Sequence, residues 1–286
     1  MERPDGRVGV VVVTRDRSRT TLESLHHLLE SNPGALVTVV DNASSDGTAD
    51  AVTDRYPGVT VVRLPANLGA AGRNSGVSVT PRPYIAFSDD DSWWAPGALT
   101  RAADLFDAYP DLGVVAGHVL VGPEERVDPV CDLMASSPLS SEGGPGVAVL
   151  GFVACGAVVR RDAFLRAGGF RLGFGIGGEE ELLAIDLRAA GWELRYCADL
   201  VAHHHPATDR PPGADRRRRQ ARNAIRTVWL RRRFGSGLRC TAAAARAGWG
   251  DPAVRLGLAD ALGDVPWIWR ERLPVDHPLE HDLGLL

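Results

Sequence analysis

The stretch Gly173–Trp192, GFGIGGEEELLAIDLRAAGW, decides how this chain is read. Its glycines at 173, 175 and 178 fit the G-x-G-x-x-G spacing of a dinucleotide-binding turn, and a helix is predicted to follow. Yet that helix opens with Glu179, Glu180 and Glu181, where such a fold places pyrophosphate on free backbone N–H groups. Either the loop cradles phosphate or it aims carboxylates into a site. No clear strand of a βαβ unit precedes the glycines, and three acids at a helix start repel pyrophosphate. The dinucleotide reading fails. Acids in a first helical turn are also favoured by the helix dipole, by roughly 0.3–1 kcal/mol each, which accounts for one or two of the three.

Working outward from this stretch, Val8–Val13 reads as a buried strand, "TLESLHHLLE" as a helix and "ALVTVVD" as a second strand. The turn-rich "NASSDGT" follows, with Thr48 placed to cap a helix over "ADAVTDR". "VTVVRLP" is a third strand, "NLGAAGRNSGV" a Gly-rich loop entering a helix, and "PYIAFSDDD" a fourth strand ending in acid. Alternating strands and helices predict a largely parallel sheet covered by helices, with ligands at the carboxyl ends of the strands. Asp16, Asp41, Asn67 and Asp89 fall there. The second half holds a strand and short helix in "GAVVRRDAFLRAGGF", the Glu-rich helix, and "ELRYCADLVAHHH" as a strand running into histidines. "PATDRPPGAD" then reads as a Pro-rich connector. It divides a domain of residues 1–210 from a helical extension of residues 211–286 that packs on it.

Composition narrows the function classes. The 286 residues are 44% hydrophobic and 24% charged, enough for one large domain or two small ones. A net charge of −4 provides no general basic field for nucleic acid. Every basic residue is arginine, a pattern read as coding bias. Cys131, Cys155, Cys197 and Cys240 are far apart without a C-x-x-C pair, which suits reduced thiols in a cytoplasmic protein. "VGVVVVT" is too short to span a bilayer and has no cleavage pattern after it.

Asp89, Asp90 and Asp91 directly follow an apolar strand. They are either a polar strand end or, since adjacent carboxylates repel unless a cation compensates, a site for Mg²⁺ or Mn²⁺ bridging to phosphate. Asp41 is equally open between a turn residue and a ligand contact. Arg73 is either solvated or a phosphate partner through its planar fork.

In order, "VVVVTRDR", "VVDNASSDGT", "LPANLGAAGRNSGV", "YIAFSDDDSWWAPGAL", "GGFRLGFGIGGEEE" and "LVAHHHP" resemble a family 2 glycosyltransferase of the GT-A fold, over roughly residues 7 to 235. The resemblance implies an α/β fold with a mixed, mostly parallel sheet flanked by helices and followed by a C-terminal helical extension. It further implies transfer of a sugar from a nucleotide diphosphate donor to an acceptor hydroxyl, with inversion and a divalent metal, Mn²⁺ or Mg²⁺. Thr14, Arg15, Asp16 and Asp41 would hold the nucleoside, and Asn67, Gly69 and Arg73 would line the base and phosphate region. Asp89 and Asp90 would face ribose and donor sugar, with Asp91 on the metal. A histidine after the last core strand matches His203 best, then His205, because alternate strand residues share a face. Glu179 and Glu180 match the acidic pair that supplies the general base, with Glu180 at the base position.

Trp93 and Trp94 are candidates for stacking on an acceptor, and one of the two is expected to be plain core. "RRRRQARNAIRTVWLRRRFG" predicts an amphipathic helix packed on the domain with a solvated basic face, or alternatively a peripheral contact with anionic lipid. A sugar-nucleotide nucleotidyltransferase would want a basic, Gly-rich loop after the first strand, and "VVTRDRSRT" has no glycine. A non-catalytic nucleotide-sugar-binding protein of the same fold would not need the acidic triplet, acidic pair and histidines together. A processive synthase is disfavoured by the lack of transmembrane helices and of a Q-x-x-R-W element.

Overall fold

The computed structural model describes residues 6–206 and 213–286. The predicted boundary between residues 210 and 211 falls outside them. The expected alternation is present in β1 (Val8–Thr14), α1 (Ser18–Ser31), β2 (Leu36–Asp41), α2 (Thr48–Arg55), β3 (Thr60–Arg63), α3 (Gly72–Val79) and β4 (Tyr84–Asp89). β1 pairs in parallel with β2 and β4, and β2 with β3. Thr48 does not cap α2 as its position in the sequence predicts. Asp46 Oδ1 accepts the Thr48 N–H at 3.0 Å instead, and the Thr48 hydroxyl accepts the Arg17 N–H at 3.3 Å.

After the acid triplet come β5 (Ser92–Trp94), α4 (Ala98–Ala108), β6 (Leu112–Val121), β7 (Arg126–Val127), α5 (Pro129–Ala135), β8 (Val147–Ala148), β9 (Ala157–Arg160), α6 (Arg161–Arg166), α7 (Glu179–Ala189) and β10 (Glu193–His204). The described strands form one sheet with the path β3-β2-β1-β4-β9-β6-β10-β5. β9 runs antiparallel to both β4 and β6, so the sheet is mixed. This is the architecture expected from the resemblance.

β1 can be apolar throughout because the sheet is covered on both sides. Val11 packs with Val40, Ile85 and Phe87 on one face, while Val8, Val10 and Val12 pack with Leu25, Leu28 and Val39 on the other. α3 lies unusually close to the sheet. A Cβ at Gly76 would stand 2.5 Å from Val11 Cγ1, so any side chain there would push the helix off.

Five helices finish the chain: α8 (Gly213–Arg231), α9 (Phe234–Ala247), α10 (Pro252–Gly263), α11 (Val265–Glu271) and α12 (His277–Leu285). α8, α11 and α12 pack around α7 through two apolar clusters, and α9 and α10 pack on α8. Phe174 and Leu182 meet Leu230 and Ile268, while Leu150 and Ile185 meet Val275, Leu279 and Leu283. Arg231 Nη2 adds an ion pair to Asp186 Oδ2 at 3.0 Å. The basic face of α8 is not simply solvated, as the amphipathic pattern predicts. Arg217 pairs with Asp251 at 2.7 Å, Arg218 with both oxygens of Asp260 at 2.6 and 2.8 Å, and Arg226 with Asp264 at 2.7 Å. Helical periodicity shows which residues share a face, but not which carboxylates from α10 will meet them. Among the described residues no helix is long and apolar enough to cross a membrane.

Candidate active site

The sheet register gathers the acids. Thr14 lies opposite Asp41, and Val13 opposite Asp89, so all these strand ends reach one edge of the sheet. The chain then turns through Asp90 and Asp91 into β5, and Ser92 Oγ accepts the Asp89 N–H at 2.8 Å. Asp90 and Asp91 are 9% and 3% exposed. Burial, followed by the neighbouring Asp91, pushes the Asp90 carboxyl up to about 7. Two arginines offset the predicted repulsion. Arg17 Nη1 lies 3.6 Å from Asp90 Oδ1 and 3.7 Å from Asp91 Oδ2, and Arg73 pairs with Asp89. Nothing in "TRDRSRT" distinguishes Arg17 from Arg15 or Arg19. The structure does, because Arg17 begins the turn into α1 beside the triplet.

β5 also selects among the histidines. It pairs antiparallel with β10, setting His203 opposite Trp93 and His204 opposite Ser92. His204 Nε2 therefore comes within 3.2 Å of Asp91 Oδ1. His203 and His205 share a face, as alternation requires, but it is the other face. His203 Nδ1 lies 2.8 Å from Glu125 Oε1. The imidazole beside the acidic triplet is thus that of His204, where the resemblance implies His203, then His205, as the metal-binding histidine; a run of three histidines shows the alternation without its phase.

The same pairing removes both tryptophans as open stacking platforms. Trp94 is fully buried and its Nε1–H donates to the Phe87 carbonyl at 3.1 Å, so it is core. Trp93 stacks with His27 at 4.5 Å and His203 at 5.3 Å and meets His205 edge-on at 4.7 Å. Its ring is already occupied by imidazoles.

At the carboxyl ends of β1 and β2, the first two loops are stitched together. Asp16, at φ 51°, accepts Ser45 N at 2.6 Å and Ser45 Oγ at 3.1 Å, while its own N–H donates to Ser44 Oγ at 2.9 Å. Asp41 is buried and accepts Ser44 N at 3.1 Å. Thr14 is buried with its hydroxyl 2.8 Å from that of Thr21, whereas Arg15 is exposed beside Asp16, 3.3 Å away. Asn67 is exposed and accepts the Gly69 N–H at 2.9 Å. Asn42, which no sequence motif marks, anchors this loop by donating to Gly69 O at 2.9 Å and accepting Leu68 N at 3.1 Å.

Arg73 does not line an open phosphate region. It is 2% exposed, packed over Phe170, and paired with Asp89. Its Nε and Nη1 are buried without a hydrogen-bond partner. Three carboxylates, Asp89, Glu179 and Glu180, share this one guanidinium electrostatically.

The opening stretch forms the opposite wall. Gly173, Gly175, Gly177 and Gly178 all adopt positive φ, and the loop takes its shape from outside contacts. Asn223 of α8, fully buried, donates to Phe174 O at 2.9 Å and to Gly177 O at 2.8 Å. Arg222 reaches Phe174 O at 2.9 Å and Arg226 reaches Gly173 O at 2.8 Å. On the loop's other side Ala70 N donates to Gly175 O at 3.1 Å, and a Cβ at Gly69 would lie 2.7 Å from Gly175 Cα. At the end of this loop Glu179 is 2% exposed and accepts the Gly177 N–H. Burial, then the neighbouring Glu180, pushes its carboxyl up to about 8. Glu180 is half-buried; desolvation raises its carboxyl too, with the charges of Arg73 and Asp89 acting on it in opposite directions. Glu181 is exposed.

The donor set suits a divalent cation. Ligand atoms of Asp89, Cys155 and His204 all lie within 4.8 Å of one another, with Asp91 against His204. Carboxylate oxygens with one imidazole match Mn²⁺ or Mg²⁺. Burial, with Asp89 and Asp91 nearby, holds the Cys155 thiol well above its ordinary range. No spacing in the sequence links Cys155 to the triplet.

The glycosyl transferase family 2 profile matches residues 9–168. An N-acetylglucosaminyl-diphospho-decaprenol L-rhamnosyltransferase of Mycobacterium tuberculosis is 26% identical over 217 residues, covering 62% of this chain and 69% of that protein. Among solved structures, a mannosyltransferase from Pyrobaculum calidifontis, in complex with GDP-Man and Mn²⁺, superposes with a TM-score of 0.59 at 21% identity, covering 99% of this chain and 87% of the other. S. aureus TarS with UDP-GlcNAc gives a TM-score of 0.63 at 14% identity, covering 98% and 84%. The chain belongs to the family 2 glycosyltransferases, and it is a glycosyltransferase of the GT-A fold.

Proposed function

We propose that the enzyme takes a sugar from a nucleotide diphosphate donor and transfers it, with inversion, to an acceptor hydroxyl, using Glu180 as general base. The observation that carries this reading is the position of Glu180. It is the one glutamate of the three that is partly open and that lies near enough to Arg73 and Asp89 for both charges to act on its carboxyl. Glu179 is bound back to Gly177, and Glu181 faces outward. Asp91 and His204, with Asp89 beside them, would hold a divalent cation. Such an ion supplies positive charge for a diphosphate leaving group.

In this scheme the acceptor O–H gives its proton to a Glu180 carboxylate oxygen as the acceptor oxygen attacks the anomeric carbon. The bond from that carbon to the diphosphate oxygen breaks, and its electron pair leaves with the nucleoside diphosphate. Arg73 acts from behind the site, orienting Asp89 and favouring the ionised form of Glu180. Thr14, Asp16 and Asp41 would hold the nucleoside end. For the acceptor, the rhamnosyltransferase relative supports a sugar on a lipid diphosphate.

A thermal-shift screen of UDP, GDP and dTDP, each with and without Mn²⁺, tests the donor side. A nucleotide present at 100 times its dissociation constant adds about 2.7 kcal/mol, and the gain should depend on Mn²⁺. Absence of any shift across nucleotides and metals would overturn the proposal.

A further inference from the structure

The helix α9 is inside out. It spans Phe234–Ala247, yet the residues it buries are Ser236 and Gly237. Gly237 packs on Trp229, and Thr241 Oγ1 accepts the Trp229 Nε1–H at 2.9 Å, so a small, polar side holds the helix to α8. Its larger apolar residues point away: Phe234 is 54% exposed, Leu238 51%, and Ala242 is exposed as well. At about 100° per residue these three fall within an arc of roughly 80°, and Arg239 and Arg246 lie about 40–60° past its edge. Both arginines are exposed, as is Arg233 at the helix start.

The apolar surface continues beyond α9. Phe234 meets Trp229 edge-on at 5.5 Å, and Arg272 stacks over both Trp229 and Trp269 at 5.6 Å. Trp269 is 56% exposed, and Leu273, whose N–H binds Leu230 O at 2.9 Å, is 70% exposed. Exposed aromatic and aliphatic side chains linked through Trp229 and Arg272, with arginines beside them, have the composition of an interfacial surface.

Charge identifies the occupant. The arginines of α8 are largely paired with carboxylates, but Arg233, Arg239 and Arg246 stand exposed at the border of this face, and residues 234–250 hold no aspartate or glutamate, in a chain whose net charge is −4. A second copy presenting this face would bring arginines against arginines. A bilayer rich in anionic lipid complements it. We infer that α9, with the Trp269–Leu273 segment beside it, docks the enzyme on an anionic membrane surface, laying Phe234 and Leu238 into the headgroup boundary. None of these residues belongs to the catalytic machinery, so the inference stands apart from the proposed chemistry.

Flotation of the full chain with vesicles of phosphatidylcholine, with or without phosphatidylglycerol, tests it. The protein should float with the anionic vesicles, remain behind with phosphatidylcholine alone, and be released by raised salt. Phe234→Ser with Leu238→Ser should lower vesicle partitioning by roughly tenfold or more, and Arg239→Glu with Arg246→Glu should do likewise. Both pairs should keep the wild-type thermal midpoint and any nucleotide-dependent shift. Failure of the wild type to float with either vesicle overturns the inference, as does unchanged partitioning of the arginine pair. A concentration-dependent dimer in sedimentation equilibrium that the apolar pair dissolves assigns the face to a second copy and overturns it as well. Loss of nucleotide response in a protein that still floats would count against the proposed chemistry alone.

Discussion

Replacing Asn223 with alanine tests how the glycine-rich loop before α7 is held in shape. The amide is fully buried and bridges Phe174 O and Gly177 O from α8. Phe174 O keeps Arg222 at 2.9 Å, so its loss is one hydrogen bond, roughly 0.5–1.5 kcal/mol. Gly177 O is left buried without that donor, at a cost of about 1–3 kcal/mol. Together the loop loses on the order of 2–4 kcal/mol, and its positive-φ glycines supply no preference to restore it. Because the loop opens locally, hydrogen exchange is the appropriate assay. Exchange at Gly177 N, which binds Glu179, and Ala70 N, which binds Gly175 O, should accelerate by roughly 30- to 1,000-fold, since each 1.4 kcal/mol is tenfold. Amides in β1 and β4 should exchange as before. If both loop amides keep their wild-type protection, α8 does not hold the loop and the reasoning fails.

Glu180→Gln should leave nucleotide affinity near wild type while turnover falls by something like ~10²–10⁴-fold, and Glu181→Gln should cost far less; equal effects of the two would remove Glu180 as base. His204→Ala should weaken the Mn²⁺ dependence of nucleotide binding, read by titrating Mn²⁺ in a thermal-shift experiment, whereas His203→Ala and His205→Ala should leave it nearly unchanged. Glu179 holds its proton up to about 8 against an ordinary 4.5, so the folded state binds that proton more tightly than the unfolded chain. Stability should therefore fall as pH rises between those values. Glu179→Gln should abolish most of that fall, by an amount on the order of a few kcal/mol, and parallel pH profiles of wild type and variant would refute it.

Much of the fold was legible because periodicity and turn chemistry are local. The apolar run of β1 and the acids at the ends of β2 and β4 could be read directly, and parallel pairing brought Asp41, Thr14 and Asp89 to one edge. What escaped were facts set by pairing between distant segments. The phase of the histidines depends on β5 meeting β10, and the burial of Trp94 follows from the same contact. Arg73 looked like an open phosphate ligand because a Gly-rich loop invites that reading; its burial behind Asp89 depends on how closely α3 approaches the sheet. Arg17, Asn42, Cys155 and Asn223 have no motif of their own. Their roles arise from which carbonyls and carboxylates the fold brings beside them.

The contact between Gly69 and Gly175 has a kinetic consequence. The loop after β3, proposed to meet the nucleotide, and the loop leading to Glu180 touch through bare backbone, joined by the Ala70 N–H to Gly175 O bond. Neither can shift far without carrying the other. A donor that settles the first loop therefore also sets the second, and an acceptor arriving earlier meets a base not yet in register. The enzyme should accordingly follow a compulsory order, donor before acceptor, with a backbone junction enforcing the sequence.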